Sequence, residues 1–151
     1  MSVPRSVIRL NRNGVVYTSS CDRAIYTIDE LTRAALRDVG KFLCRRCNEK
    51  AQNLRGMRKS KRVFGRYSTF QYWARKREKD LQFGCKHGTW YGEEQELGSS
   101  KMQKKGFMKK TVQENIPEII KIESQYLSAL ESEARALAMI NEDDYRGGAD
   151  E

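Results

Sequence analysis

Residues 91–110 read Tyr-Gly-Glu-Glu-Gln-Glu-Leu-Gly-Ser-Ser-Lys-Met-Gln-Lys-Lys-Gly-Phe-Met-Lys-Lys, and this stretch decides how the chain is laid out. Tyr91 is followed by Glu96, Leu97, Gly98, Ser99, Ser100, Lys101 and Met102, and a short basic spacer then leads to Gly106, Phe107 and Met108. The order predicts the end of a strand, a glycine-turned loop and an anchored start of a helix. Gly98 permits a backbone conformation closed to residues with a side chain, and Ser99 or Ser100 can cap the turn. Phe107 plugs the core just before the helix and fixes its angle. No reactive constellation lies in this order, so the stretch predicts structure rather than catalysis.

Upstream, Phe70, Tyr72 and Ala74 alternate with Gln71, Trp73 and Arg75 within Ser68 to Arg77, the period of a strand. Lys76 to Asp80 turns the chain back into a second strand ending at Cys85, and Trp90-Tyr91 begins or approaches a third. Near the N-terminus, residues 7–10 and 15–18 flank Asn13-Gly14, the favoured dipeptide of a tight hairpin. The expected sheet therefore has three main strands plus this hairpin. Between hairpin and sheet, Thr27-Ile28-Asp29-Glu30 has the form of a capping box. Behind it Leu31, Ala35, Val39, Phe42, Leu43, Cys47, Ala51 and Leu54 fall mostly three or four apart, one apolar stripe on a long helix ending near Gly56. Gly40 inside that helix costs about 1 kcal/mol against alanine and marks a close packing point. Downstream, Met108 to Asn141 reads as helix with one interruption at Pro117, where the helix either kinks or a second one starts with proline in its first turn. The fold class is α+β, a long N-terminal amphipathic helix and a C-terminal helix packed on a small antiparallel sheet. Residues 1–141 form a single domain and 142–151 an acidic mobile tail.

The chain has 151 residues, 38% of them apolar and 32% charged, which suits one thin, two-layered domain with a heavily charged surface. No run approaches the roughly 18 apolar residues of a membrane span, and the start lacks the apolar block of a signal peptide. The expected product works in soluble form in the cytoplasm. Charge is segregated: residues 1–110 carry 26 Lys and Arg against 10 Asp and Glu, a balance of +16, whereas 111–151 carry 3 against 10, a balance of −7. Such asymmetry points to nucleic acid or to head-to-tail contact between copies, with a solvated basic loop as the simpler alternative. The polar, glycine-punctuated stretch 55–66 is a long basic loop. Its Arg55, Arg58, Lys59, Lys61 and Arg62 are candidate contacts to a ring neighbour or to DNA in a channel.

Cys44 and Cys47 form a CxxC, with Cys21 and Cys85 elsewhere. The pair sits in mid-helix on the apolar stripe, without a knuckle-like turn, and the other two cysteines are single. The expectation is reduced, partly buried thiols and no zinc site or other cofactor. His87 is the sole histidine, in a loop, and Glu93, Glu94 and Glu96 lack further ligands for a metal cage. No phosphate loop, nucleophile elbow or HExxH occurs, so an enzyme is not expected and no residue is assigned a catalytic role. The main physical rival is a small basic nucleic-acid-binding protein using residues 67–77, where Tyr67, Phe70, Tyr72 and Trp73 interleave with Arg75, Lys76 and Arg77. Period-2 burial of the aromatics against a core is favoured over stacking.

Tyr91 to Lys110 resembles the motif of the HK-type phage neck or tail-component family, in which a Tyr and a later Glu-aromatic-Gly-Thr precede Ser-Lys-Met and then Pro-Phe-Leu-Arg-Pro. Tyr91, Glu96, Gly98, Ser100, Lys101, Met102 and Phe107 sit in register without a gap. Leu97 replaces the aromatic, Ser99 the threonine, Gly106 the proline and Lys109 the arginine; glycine at 106 is expected to loosen the start of the helix. The resemblance implies a non-enzymatic virion protein of the neck, assembled in the host cytoplasm into a homo-oligomeric ring by heterologous contacts. It would join the head connector to the tail, meeting head-closure or connector proteins and tail-terminator or tail-tube proteins. Non-specific contact with DNA in the channel is a further option, and no membrane contact is implied.

Overall fold

The computed structural model describes residues 8–53, 70–86, 90–101, 103–132 and 134–140, with the backbone alone described at 8, 52, 53, 90, 91 and 93. Strands β1 (Ile8–Arg12) and β2 (Val15–Ser19) form one antiparallel ribbon, followed by helix α1 (Cys21–Asn53). A second ribbon pairs β3 (Phe70–Arg75) with β4 (Asp80–Cys85). Helices α2 (Trp90–Leu97), α3 (Phe107–Glu114), α4 (Ile116–Ala129) and α5 (134–140) complete the order. The chain is thus mixed helix and sheet, but the expected single sheet is two separate two-stranded ribbons among the described residues.

Local chemistry explains the first ribbon. Asn13 and Gly14 both adopt positive φ, 53° and 79°, as a type I′ turn requires. The ribbon packs extensively on no other described element, and its Leu10, Val15, Val16 and Tyr17 stay more than half exposed.

Helix α1 runs for 33 residues and starts six residues before the expected capping box. Ser20 accepts the Ala24 N–H through its carbonyl at 3.1 Å, and Asp22 lies in the first turn, where an acidic group complements the helix dipole. Thr27 is therefore internal, and its hydroxyl donates back to the Arg23 carbonyl at 2.9 Å instead of capping.

The core forms two clusters at different heights along α1. Leu31, Ala34 and Ala35 meet Tyr126 of α4 and Ala136 and Ile140 of α5. The Tyr126 hydroxyl donates to Asp38. Cys47 and Ala51 meet Phe70 of β3 and Phe107 of α3. Helices α1 and α3 thus pack on the β3–β4 ribbon as expected, whereas α4 and α5 pack on α1 instead, because its buried series Leu31, Ala35, Val39, Leu43, Cys47 and Ala51 runs past the ribbon. Gly40 is the close packing point: a Cβ there would lie 2.4 Å from Cγ of Tyr72.

Pro117 sits in the first turn of α4, so a second helix starts there rather than one helix bending. A further break at 130–132 separates α5, so the expected single interruption is two. Lys76 pairs with Glu30 at 2.9 Å and Lys79 with Asp29 at 2.6 Å, tying the β3–β4 turn to α1.

Candidate functional site: a capped joint beside a basic groove

The stretch from Tyr91 to Lys110 is a helix–loop–helix joint, which corrects the expected strand–loop–helix. Glu94, Gln95, Glu96 and Leu97 are good helix formers, and that local preference overrides the strand suggested by Trp90 and Tyr91. Gly98 ends α2 with φ 85°, its N–H donating to the Glu94 carbonyl at 2.8 Å. A Cβ on Gly98 would sit 2.9 Å from the Lys104 backbone nitrogen, so glycine is required by both torsion and space.

The loop returns along α2. Lys105 N–H donates to the Gln95 carbonyl at 2.9 Å, and Gly106 N–H to the Glu96 carbonyl at 3.3 Å. The Glu96 carboxylate then accepts the Met108 N–H at 2.8 Å through Oε2 and the Lys109 N–H at 3.1 Å through Oε1. These are donors of the first turn of α3 that have no partner within the helix, and the anion also suits the positive end of its dipole. The helix is capped from another element, since its own N-cap residue Gly106 has no side chain to do so.

Gly106 lies in the left-handed region, φ 57° and ψ 34°. Proline, fixed near −65° and lacking an N–H, fits neither this torsion nor the bond to Glu96. Glycine therefore makes a different joint here, not a looser copy of a proline one. Phe107 is buried, edge-on to Phe70 with centroids 5.8 Å apart, as expected of a core plug. Thr111, fully buried, donates to the Phe107 carbonyl at 2.7 Å.

Of the remaining motif residues, Ser99, Ser100 and Lys101 form an exposed turn in which Lys101 N–H reaches Ser99 Oγ at a long 3.4 Å. Tyr91 lies in α2 with its side chain outside the described set, and Met102 lies outside it altogether. The basic loop 55–66, with Arg55, Arg58, Lys59, Lys61 and Arg62, lies outside the described residues, as do Tyr67, His87 and the tail 142–151.

The cysteines divide. Cys44, Cys47 and Cys85 gather near Met108 in the core beside Phe70 and Phe107, whereas Cys21 is exposed at the far end of α1. At 1.5 Å per residue, Cys21 is about 35 Å from Cys44, so the four cannot share a metal. Among the described residues no group of three His, Cys, Asp or Glu is placed to hold an ion. Burial pushes the thiols of Cys44 and Cys47 up to about 11, so both are protonated at neutral pH and poor nucleophiles.

Beside this joint, a groove of about 650 Å³ opens between α1 and β3. Arg33, Arg37 and Lys41 on α1 line it with Lys86, and Tyr72 and Trp73 contribute from β3. No carboxylate lines the groove among the described residues, although Glu30 lies 3.8 Å from Arg33 and Asp38 lies 3.6 Å from Lys41. Arg33 Nε is buried and has no hydrogen-bond acceptor among the described residues. Sequence reading singled out Trp73 but not the cations, whose four-residue spacing on a helix is the signal that points to them.

No family model matches the chain, and neither the curated proteins nor the solved structures give a match.

Proposed function

We propose that this chain is a structural assembly protein whose copies associate into a ring, and that it serves as a phage neck protein joining head connector to tail. The observation that carries the reading is the apolar surface at the N-terminal end. Leu10, Val15, Val16 and Tyr17 of the β1–β2 ribbon, with Ile25 and Ile28 of α1, are each about half exposed or more. An isolated two-stranded ribbon is marginal in water, so a partner that covers this face stabilises it. Leu127 of α4 and Leu130 just beyond its end are exposed too, and a cavity of about 500 Å³ lies between Ile28 and Leu130. A ribbon from one copy set against such a notch on the next is a heterologous contact, the kind that closes a ring when the rotation permits.

Two features direct this assembly reading toward the neck. The first is the resemblance of residues 91–110 to the HK-type neck motif, in which Glu96, Gly98 and Phe107 do structural work at the joint. The second is the charge split of +16 against −7 along the chain, which favours basic-to-acidic contact between copies. The basic loop 55–66 is proposed to meet a neighbouring ring or DNA.

The double substitution Val15→Asp with Tyr17→Asp tests the carrying observation by sedimentation velocity. Dissociation to a monomer with helix content retained supports the reading; an unchanged oligomer removes its basis. In a phage carrying this gene, Arg58→Glu with Lys61→Glu is expected to reduce head–tail joining. Unchanged phage yield counts against the loop contact.

A further inference from the structure

We infer that the groove between α1 and β3 binds single-stranded nucleic acid, with Arg33, Arg37, Lys41 and Lys86 on its phosphates and Trp73 stacking on a base. This goes beyond the ring reading and rests on different residues. Two independent observations carry it.

The first is the row of cations. Arg33, Arg37 and Lys41 follow one another at one helical turn, a rise of about 6 Å each, comparable to the spacing of neighbouring phosphates in an extended strand. Lys86 continues the positive lining from the end of β4. Glu30 and Asp38 beside the row temper its charge without entering the lining.

The second is Trp73. Its strand neighbours Phe70 and Ala74 are buried against α1, yet Trp73 is 65% exposed. It lines both the cationic groove and a shallow hollow of about 640 Å³ on the outer face of the ribbon, next to Gln71, Gln82 and Gly84. An indole at the crest between a cationic wall and an open face meets the requirement of a stacking platform, a π surface beside a backbone-tracking row of charges. An acidic peptide would use the cations and leave the exposed indole without a role. A duplex offers no unpaired base face to Trp73. Single-stranded nucleic acid uses both features.

The test is titration of the full-length protein with a 12-nucleotide oligo-dT at several salt concentrations, read by tryptophan fluorescence and by anisotropy. Binding with quenching is expected, with a log–log salt slope of about −2 to −3 for three to four phosphate contacts. Trp73→Ala should weaken binding about 5- to 150-fold. Arg37→Gln with Lys41→Gln should flatten the slope by about 1.4. Oligo-dT that fails to bind at low salt, or binds Trp73→Ala as well as wild type, overturns the inference. A duplex of the same length bound as tightly without quenching reduces the groove to a general basic surface and also overturns it. Polyglutamate that competes equally and is lost with the cation variant overturns it in favour of an acidic protein segment. None of these outcomes bears on whether the chain forms a ring, which is read separately from its mass.

Discussion

The carboxylate of Glu96 closes a helix that starts beyond its own, accepting the Met108 N–H at 2.8 Å and the Lys109 N–H at 3.1 Å. This contact fixes α3 against α2 across a loop that has little other side-chain bonding. Glu96→Ala should lower stability by about 1–2 kcal/mol, the usual loss of a cap together with a dipole partner. Glu96→Gln keeps one acceptor and should lose less. Urea unfolding of the three proteins checks the order.

Two glycines should respond differently from a third. Alanine at Gly98 must hold φ near 85° and place its Cβ 2.9 Å from backbone, while alanine at Gly14 meets only the torsional penalty, with nothing within 4 Å among the described residues. At Gly40 the helix gains about 1 kcal/mol in propensity, but a Cβ 2.4 Å from the Tyr72 ring must displace it. Overpacking of this kind costs about 1–3 kcal/mol. Thermal denaturation should therefore rank Gly98→Ala below Gly14→Ala, with Gly40→Ala destabilised despite its better helix former.

These positions also mark what could be read from the chain. Asn13-Gly14 declared its turn because the dipeptide itself supplies the positive φ. Phe70, Tyr72 and Ala74 declared their inner face by alternation, and Gly40 its close contact by breaking a helical pattern. In sequence the joint reads as strand–loop–helix because Trp90 and Tyr91 favour strands, while Glu94 to Leu97 carry the opposite preference. The role of Glu96 depends on donors twelve and thirteen residues away, which no local pattern announces. Packing of α4 and α5 on α1 rather than on the sheet, and the meeting of Arg37 with Trp73 across a groove, are likewise set by tertiary arrangement.

Cysteine reactivity should follow burial. Cys21 is exposed, whereas Cys47 is fully buried and Cys44 half-buried, both with thiols pushed up to about 11. At pH 8 a thiol reagent should modify Cys21 first, Cys44 at the groove wall more slowly, and Cys47 only on unfolding. The raised folded values also give a sign to alkaline stability. Between about pH 9 and 11 the unfolded chain loses thiol protons that the folded chain keeps, so stability should fall as pH rises through this window. Cys44→Ala with Cys47→Ala should flatten that fall, measured by urea midpoints at pH 8 and pH 10.5.

The central claim, assembly into a closed ring, is tested most directly by native mass spectrometry of the full-length chain over a range of concentrations. One discrete oligomer is expected, a single multiple of the 17.5 kDa subunit, that persists on dilution. A monomer at every concentration would contradict it.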